Sequence, residues 1–478
     1  MTLLRSLIVG VLAVVAARLV RALLADRRRP VRRVAWVLLL APYFTPVLLT
    51  GYAYANFSLS LIHHPVINSI FYSALLWWKF TPIAAVVLHF TPPTISAEAI
   101  HCRRLAAGDA KFSHWLFLVR AGCAAGPAAA FAVVFLGAFA EFEMASLMVV
   151  KSWTVALFDA HAGGLALGES LRRMTGPLLC ESAAIATVFA VLGRQRSISG
   201  PPIPGGRLGR GLAWCHLLIA FVVVLAVPAA MVLWGTIRGL GLLLENFVLG
   251  REILASLLFA AGASTFAGLA VFGRAGHAKD SAAPALRWAA DWSQRDQCHP
   301  GAGRQARGST LWNIIFLAAV FAGLLGPLVL SLAVLAAVQL PGLIKLRDTP
   351  APLVFALGLV LLPMAFVLQR VLALTRQRSA LHLAALLQKS RAARELTWRL
   401  STSGKFWAMV LLFVWAYWDL TAGSILAPIG MTPVTVRLYN LMHYGQVATL
   451  SAMTCAACAA PIMVALLALG TRRWWAPP

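Results

Sequence analysis

Residues 314–338 read IIFLAAVFAGLLGPLVLSLAVLAAV, a run without one charged side chain. A helix that crosses a bilayer needs about 20 mainly apolar residues, so this run is long enough to span. Working outward, the run extends over 311–339, and ten further stretches qualify: 3–24, 34–55, 68–90, 115–138, 177–193, 212–234, 252–273, 352–374, 405–421 and 446–470. The whole chain agrees, with 478 residues, 60% of them hydrophobic and 12% charged, and a mean hydropathy of +0.80. A soluble domain carries about a quarter charged residues, so a soluble enzyme is excluded. The expectation is an all-α polytopic membrane protein with about eleven transmembrane helices.

The 41 Lys+Arg against 16 Asp+Glu give a net charge of +25. In a soluble protein such an excess points to nucleic acid; here it follows the membrane. The segments 26–33, 91–114, 194–211, 274–308, 375–405 and 471–478 hold 27 of the basic residues, and the alternate segments between spans hold 8. Cytoplasmic loops carry the excess of Lys and Arg. The first set is therefore expected inside, with the C-terminus cytoplasmic, the N-terminus external and no nucleic-acid partner. The first stretch is the least secure, because Arg18 and Arg21 interrupt it. A cleaved signal peptide fits poorly, since the basic cluster follows the apolar run. The seven cysteines suggest neither a disulfide framework nor a zinc site.

Comparing the two halves gives a consistent offset of 281 residues. Lys79-Phe80-Thr81-Pro82 meets Val360-Leu361-Leu362-Pro363, each Pro inside a membrane helix. His101 meets His382, and Leu157-Phe158-Asp159 meets Leu438-Tyr439-Asn440. With a three-residue gap, Glu141 meets Asp419 at the external ends of matching helices. Six helices separate equivalent positions, so the copies share one orientation, as in transporters built from parallel repeats. The expected organisation is a first repeat over 1–193, a cytoplasmic linker over 194–211 and a second repeat over 212–478. The second repeat contains a flexible cytoplasmic loop at 274–308. Segments 139–176 and 422–445 read as external caps, too interrupted to span.

Single residues leave alternatives open. Lys79 lies well inside a predicted span, which marks it as a functional candidate, or as a cation packed against a carbonyl. Glu141 and Asp419 form an acidic pair for a cation, or simply solvate helix ends. Glu181 reads as a first-turn carboxylate favoured by the helix dipole. His63 and His64 are adjacent and do not chelate as an i, i+4 pair would. Cys455 and Cys458 read as packing thiols on one apolar face. Gly404-Lys405 lacks the remainder of a phosphate-binding loop.

These pieces resemble the fused permease subunits of binding-protein-dependent ABC importers, of the iron(III)/thiamine type with type I transmembrane domains. The resemblance rests on Glu141-Phe142 with Ala145-Ser146-Leu147, on residues 428–445 (PIGMTPVTVRLYNLMHYG) and on Lys79-Phe80-Thr81-Pro82. It implies that cytoplasmic coupling loops dock into an ATPase, the first at His101, Arg103, Arg104, Leu105, Ala106, Ala107 and Gly108. The second implied loop holds His382, Ala384, Ala385, Leu386 and Leu387. Both depart from the family's Glu-Ala-Ala-then-Gly pattern: the first keeps only the Gly, and the second has Lys389-Ser390 in its place. A translocation pathway and gate are implied at Lys79, Pro82, Glu141, Pro363, Asp419, Tyr439 and Asn440.

The resemblance further implies an inner-membrane importer of a small solute, ferric iron being among the family's cargoes. Two separate ATPase subunits would hydrolyse ATP, an external solute-binding protein would deliver cargo, and this chain would bind no cofactor or metal. Two rivals remain: a gradient-driven secondary transporter, expected to bury charges mid-helix, and a membrane enzyme acting on lipid-linked substrate. The scattered acids count against the latter.

Overall fold

Proline and glycine decide where the apolar runs stay straight and where they break. The computed structural model describes residues 1–26, 28–91, 95, 101–103, 105, 117, 122–193, 207–243, 247–273, 306–375, 395, 398–442 and 448–470. The chain opens with α1 (Thr2–Leu24), followed by α2 (Arg29–Phe44) and α3 (Val47–Ser60), which meet at 73°. Pro46 causes the break: it has no N–H to donate to the carbonyl of Pro42, four residues back. Next come α4 (Pro65–Phe90) and α5 (Ala125–Phe139). Three short helices follow, α6 (Glu143–Leu147), α7 (Trp153–Ala162) and α8 (Leu167–Arg173), and then α9 (Thr175–Gly193).

A long helix continues through α10 (Arg207–Phe221), a π turn at Val222–Ala226 and α11 (Val227–Leu243). The π turn directly precedes Pro228, whose missing N–H leaves the carbonyl of Val224 without its usual donor. Beyond it lie α12 (Phe247–Gly268), α13 (Ala306–Leu324) and α14 (Pro327–Val338). The last two are bent by 119°. Gly326 turns the chain there at φ 84°, a conformation glycine takes freely, and Pro327 starts the next helix. The chain closes with α15 (Ala351–Thr375), α16 (Ser403–Tyr417), α17 (Thr421–Leu426), α18 (Val434–Met442) and α19 (Ala448–Gly470). No strand occurs among the described residues.

Each of the eleven expected stretches falls on a helix or a broken helix pair, but not all reach spanning length. Among the described residues six helices are long and apolar enough to cross a membrane, or up to eight if each bent pair is one span. Ala125–Phe139, Thr175–Ala190 and Ser403–Tyr417 are shorter apolar helices. Fifteen residues at 1.5 Å each reach only about 22 Å, against a hydrocarbon core of about 30 Å.

The packing is compatible with helices in lipid. α1 turns Val9, Ala13, Ala17 and Val20 inward, all at 0% exposure, against α4 and α5. Its outer face presents Leu4, Ile8, Val11 and Val15, each about half exposed. Small residues let helix backbones approach in a medium that gives no hydrophobic drive between helices. Gly10 allows such an approach: a Cβ there would stand 2.8 Å from the ring of Phe131 on α5.

The fold divides into two compact units, parting inside α11 between Met231 and Val232. Within the first, α1, α4 and α5 pack mutually, α3 packs on α6, and α9 packs on α5. Within the second, α12, α15 and α16 pack mutually and α14 packs on α17. Both units therefore run in a similar order: a long helix, a bent pair, a proline-containing helix, a shorter apolar helix, short cap helices (three in the first unit, two in the second) and a closing helix. The prolines of the third members are Pro82 in α4 and Pro363 in α15.

Candidate functional site in the two caps

A helix of five or six residues cannot satisfy its own first N–H groups and needs acceptors from outside. In both units a carboxylate placed just before the short helix supplies them. Glu141 accepts from the amides of Met144 at 2.6 Å and Ala145 at 3.1 Å, and so holds the start of α6. Asp419 accepts from the amide of Ala422 at 2.8 Å and does the same for α17. A threonine at the following helix then ties back to the acid's own backbone. Thr154 donates its hydroxyl to the carbonyl of Glu141 at 2.7 Å, and Thr435 donates to that of Asp419 at 3.2 Å. Thr154 and Thr435 stand 281 residues apart, the offset of the repeat.

The two caps differ in what surrounds this shared frame. The first is closed. Glu141 is 8% exposed, and the hydroxyl of Tyr72 on α4 donates to its carboxylate. The guanidinium of Arg5 on α1 stacks over the Tyr72 ring at 4.7 Å. At the far end of α6, the carbonyl of Met148 accepts from Asn68 at 2.9 Å and from the Ser58 hydroxyl, and Ser58 also donates to Asn68 at 2.8 Å. Val149 then takes φ 54°, a left-handed conformation that a β-branched residue keeps only where its surroundings fix it. Ser152 accepts from the amide of Val155 at 3.1 Å and starts α7.

The second cap is open at the equivalent point. Asp419 is partly exposed and borders a small cavity lined by Ser256, Leu353, Leu357, Tyr417 and Pro433 among others. The Tyr417 hydroxyl is turned away, donating to the carbonyl of Ala457 at 3.0 Å. Here α18 is held to α12, through the Val434 amide on Ser256 Oγ at 2.8 Å and the Arg437–Glu252 pair at 3.8 Å.

The residues singled out from sequence fall as follows. Lys79 is 3% exposed and donates to the carbonyls of Pro42, at 3.4 Å, and Thr45 at the α2–α3 break. It also lies within electrostatic reach of Glu143 and Glu141, so the first unit brings Lys79 and Glu141 into one neighbourhood. Tyr439 is buried on α18 and its neighbour Asn440 is exposed. Of the residues expected to form a first coupling loop, His101 and Leu105 are exposed and Arg103 stacks over Phe117 at 5.6 Å. Arg104, Ala106, Ala107, Gly108, His382, Ala384, Ala385, Leu386 and Leu387 lie outside the described residues, as does most of the loop 274–308.

Glu181 differs from expectation. The helix begins at Thr175, so Glu181 sits beyond the first turn, 0% exposed, with neither carboxyl oxygen hydrogen-bonded among the described residues. The reason is that the chain passes almost directly from α8 into α9, with the Leu178 amide already bonded to Met174. Tyr72, Arg5, Thr154 and Thr435 were missed in the sequence. The threonine pair at the repeat offset was a visible signal; nothing local marks Tyr72.

Compared with protein families, with curated proteins and with solved structures, the chain matches none.

Proposed function

We propose that this chain is the two-repeat transmembrane permease subunit of an importer in a bacterial inner membrane. It moves a small solute inward by alternating access. Two separate ATPase subunits drive the cycle through the cytoplasmic loops around His101–Gly108 and His382–Leu387. An external solute-binding protein docks on the caps at 139–176 and 422–445. The C-terminus is cytoplasmic and the N-terminus external. The observation that carries the reading is the repetition of a similar helix order with one cap design, Glu141–Thr154 and Asp419–Thr435, at the ends of α5 and α16. Duplicated halves of one orientation are how parallel-repeat transporters build a pathway. Proline-containing helices and short re-entrant caps add sites where small backbone changes move whole elements.

The test is affinity purification of the tagged chain from native membranes, with partners identified by mass spectrometry. Two ABC ATPase copies per chain are expected. They should be lost when Ala106, Ala107 and Gly108, or Ala384 and Ala385, are replaced by bulky residues. A chain that purifies alone under every detergent condition sinks ATP coupling.

One observation favours a second reading, a carrier driven by an ion gradient. Such carriers bury ionisable groups in mid-helix, and Glu181 is one, without a hydrogen-bonding partner among the described residues. Solute uptake into proteoliposomes lacking ATPase, abolished in Glu181→Gln, would select this reading over the first.

A further inference from the structure

The repeat offset that aligns Pro82 with Pro363 places Tyr72 opposite Leu353. The structure agrees with that register independently. Tyr72 is the side chain that reaches Glu141 in the first cap, and Leu353 lines the cavity beside Asp419 in the second. The next inward turns match as well, with Leu76 buried in the first unit and Leu357 on the same cavity in the second. One substitution between the copies, a phenol for an isobutyl group, therefore accounts for one cap being closed and the other open.

We propose that Tyr72 is a positioning residue that pins the first cap, and that the second cap, lacking its counterpart, is the one that moves during transport. This rests on the permease reading above. The first cap is fixed at several points. Glu141 takes two amides and the Tyr72 hydroxyl, Arg5 covers the ring, and Met148 is held by Ser58 and Asn68 around the left-handed Val149. A left-handed valine survives only where the surroundings over-determine it, so this cap is built to hold one shape. The second cap is held along α18 by Val434 on Ser256 and Arg437 beside Glu252, but its acid takes one amide, its tyrosine turns elsewhere and space is left next to the carboxylate. Segments that move in a cycle are drawn from the least protected parts of a fold. A transporter with one fixed and one yielding cap opens on one side, and that side is the second repeat.

The test is position-resolved hydrogen exchange on the full chain in lipid nanodiscs, comparing the amides of 141–162 with those of 419–442. Wild type is expected to exchange faster in the second cap. Tyr72→Phe keeps the ring under Arg5 and removes only the hydroxyl; it is expected to speed exchange in the first cap about tenfold, the loss of one hydrogen bond to a charged group. Exchange in α12, α15 and α16 should stay unchanged. Leu353→Tyr brings a hydroxyl to Asp419 and is expected to slow the second cap about tenfold, whereas Leu353→Phe fills the same space without slowing it as far. Equal protection of the two caps in wild type overturns the proposal. So does an unchanged first cap in Tyr72→Phe, or equal effects of Tyr and Phe at position 353. If Leu353→Tyr fails to fold, the Tyr72→Phe arm decides alone. No ATPase or solute is present, so this result stands apart from the purification that tests the permease reading.

Discussion

Lys79 donates to two carbonyls at the break between α2 and α3, one of which Pro46 deprives of its helical partner. A cation at the C-terminal end of a helix also meets the negative end of its dipole. Replacing it with methionine keeps the length and apolar stem but leaves both carbonyls without a donor. An unsatisfied buried polar group costs about 1–3 kcal/mol, so Lys79→Met should lower the thermal unfolding midpoint in detergent. An unchanged midpoint would mean that water already serves these carbonyls. Glu181 has the opposite expectation. Its carboxyl oxygens have no partner among the described residues, and α9 packs on α5, whose sequence offers only apolar side chains and glycine. The charges of α8 do not relieve it, because Glu169 pairs with Arg172 and Arg173 at its surface. Glu181→Leu should therefore stabilise the isolated chain by about 1–3 kcal/mol. A lower midpoint instead would reveal that Glu181 has a partner after all. In the sequence Lys79 stood out at once, as a lysine in an apolar run. Tyr72 did not, because an aromatic residue in a membrane helix is ordinary until the acid it meets is known.

At the scale of the element, hydropathy located apolar stretches that fall on helices, since lipid selects composition over a length of about 20 residues, but among the described residues six to eight of the eleven have spanning length. Hydropathy did not locate the breaks. Gly326-Pro327 and Thr45-Pro46 occupy two residues each and barely lower the mean of a long window, so 311–339 and 34–55 read as single helices. Their angles, 119° and 73°, arise from missing N–H groups and one left-handed glycine, which are local facts. The caps were legible as segments too interrupted to span, and the repeat aligned Glu141 with Asp419 across the halves; the helices α6 and α17 themselves are too short for periodicity to register. Close packing between elements is similarly local. A Cβ on Gly323 of α13 would stand 2.1 Å from the carbonyl oxygen of Leu359 and 2.8 Å from Cδ of Pro363, both on α15. Backbone cannot step aside as a side-chain tip does, so Gly323→Ala should force α13 away from α15. The expected cost is about 1–3 kcal/mol, read as a lower unfolding midpoint. Wild-type stability in that variant would show that the two helices are not in backbone contact.

For the whole molecule, the distribution of charge and the order of helices make one joint prediction about sidedness. Between α1 and α12 lie the bent pair α2–α3, α4, the short α5 and α9, and the long α10–α11. If all of these cross, α12 enters the membrane from the same side as α1, and the two units are copies of one orientation. That parity holds even if α5 and α9 both fail to cross, because they leave together. What changes is the side of the segment between them, which carries the first cap. In the proposed topology this segment, with three basic residues over 139–176, lies on the outer side, on the ground of the loop charges alone. Reporter fusions separate the cases. Alkaline phosphatase, active only outside, is expected to work at Leu165 and Asp348, and a fluorescent protein, folded only inside, at the C-terminus. As isolated rods α5, at 15 residues, reaches about 22 Å and α9, at 19 residues, about 28 Å, and the bilayer must thin or neighbouring residues snorkel to complete the crossing. An inactive reporter at Leu165 with an active one at Asp348 would mean that α5 and α9 dip in and return. The first cap would then lie on the cytoplasmic face, where no external binding protein could reach it.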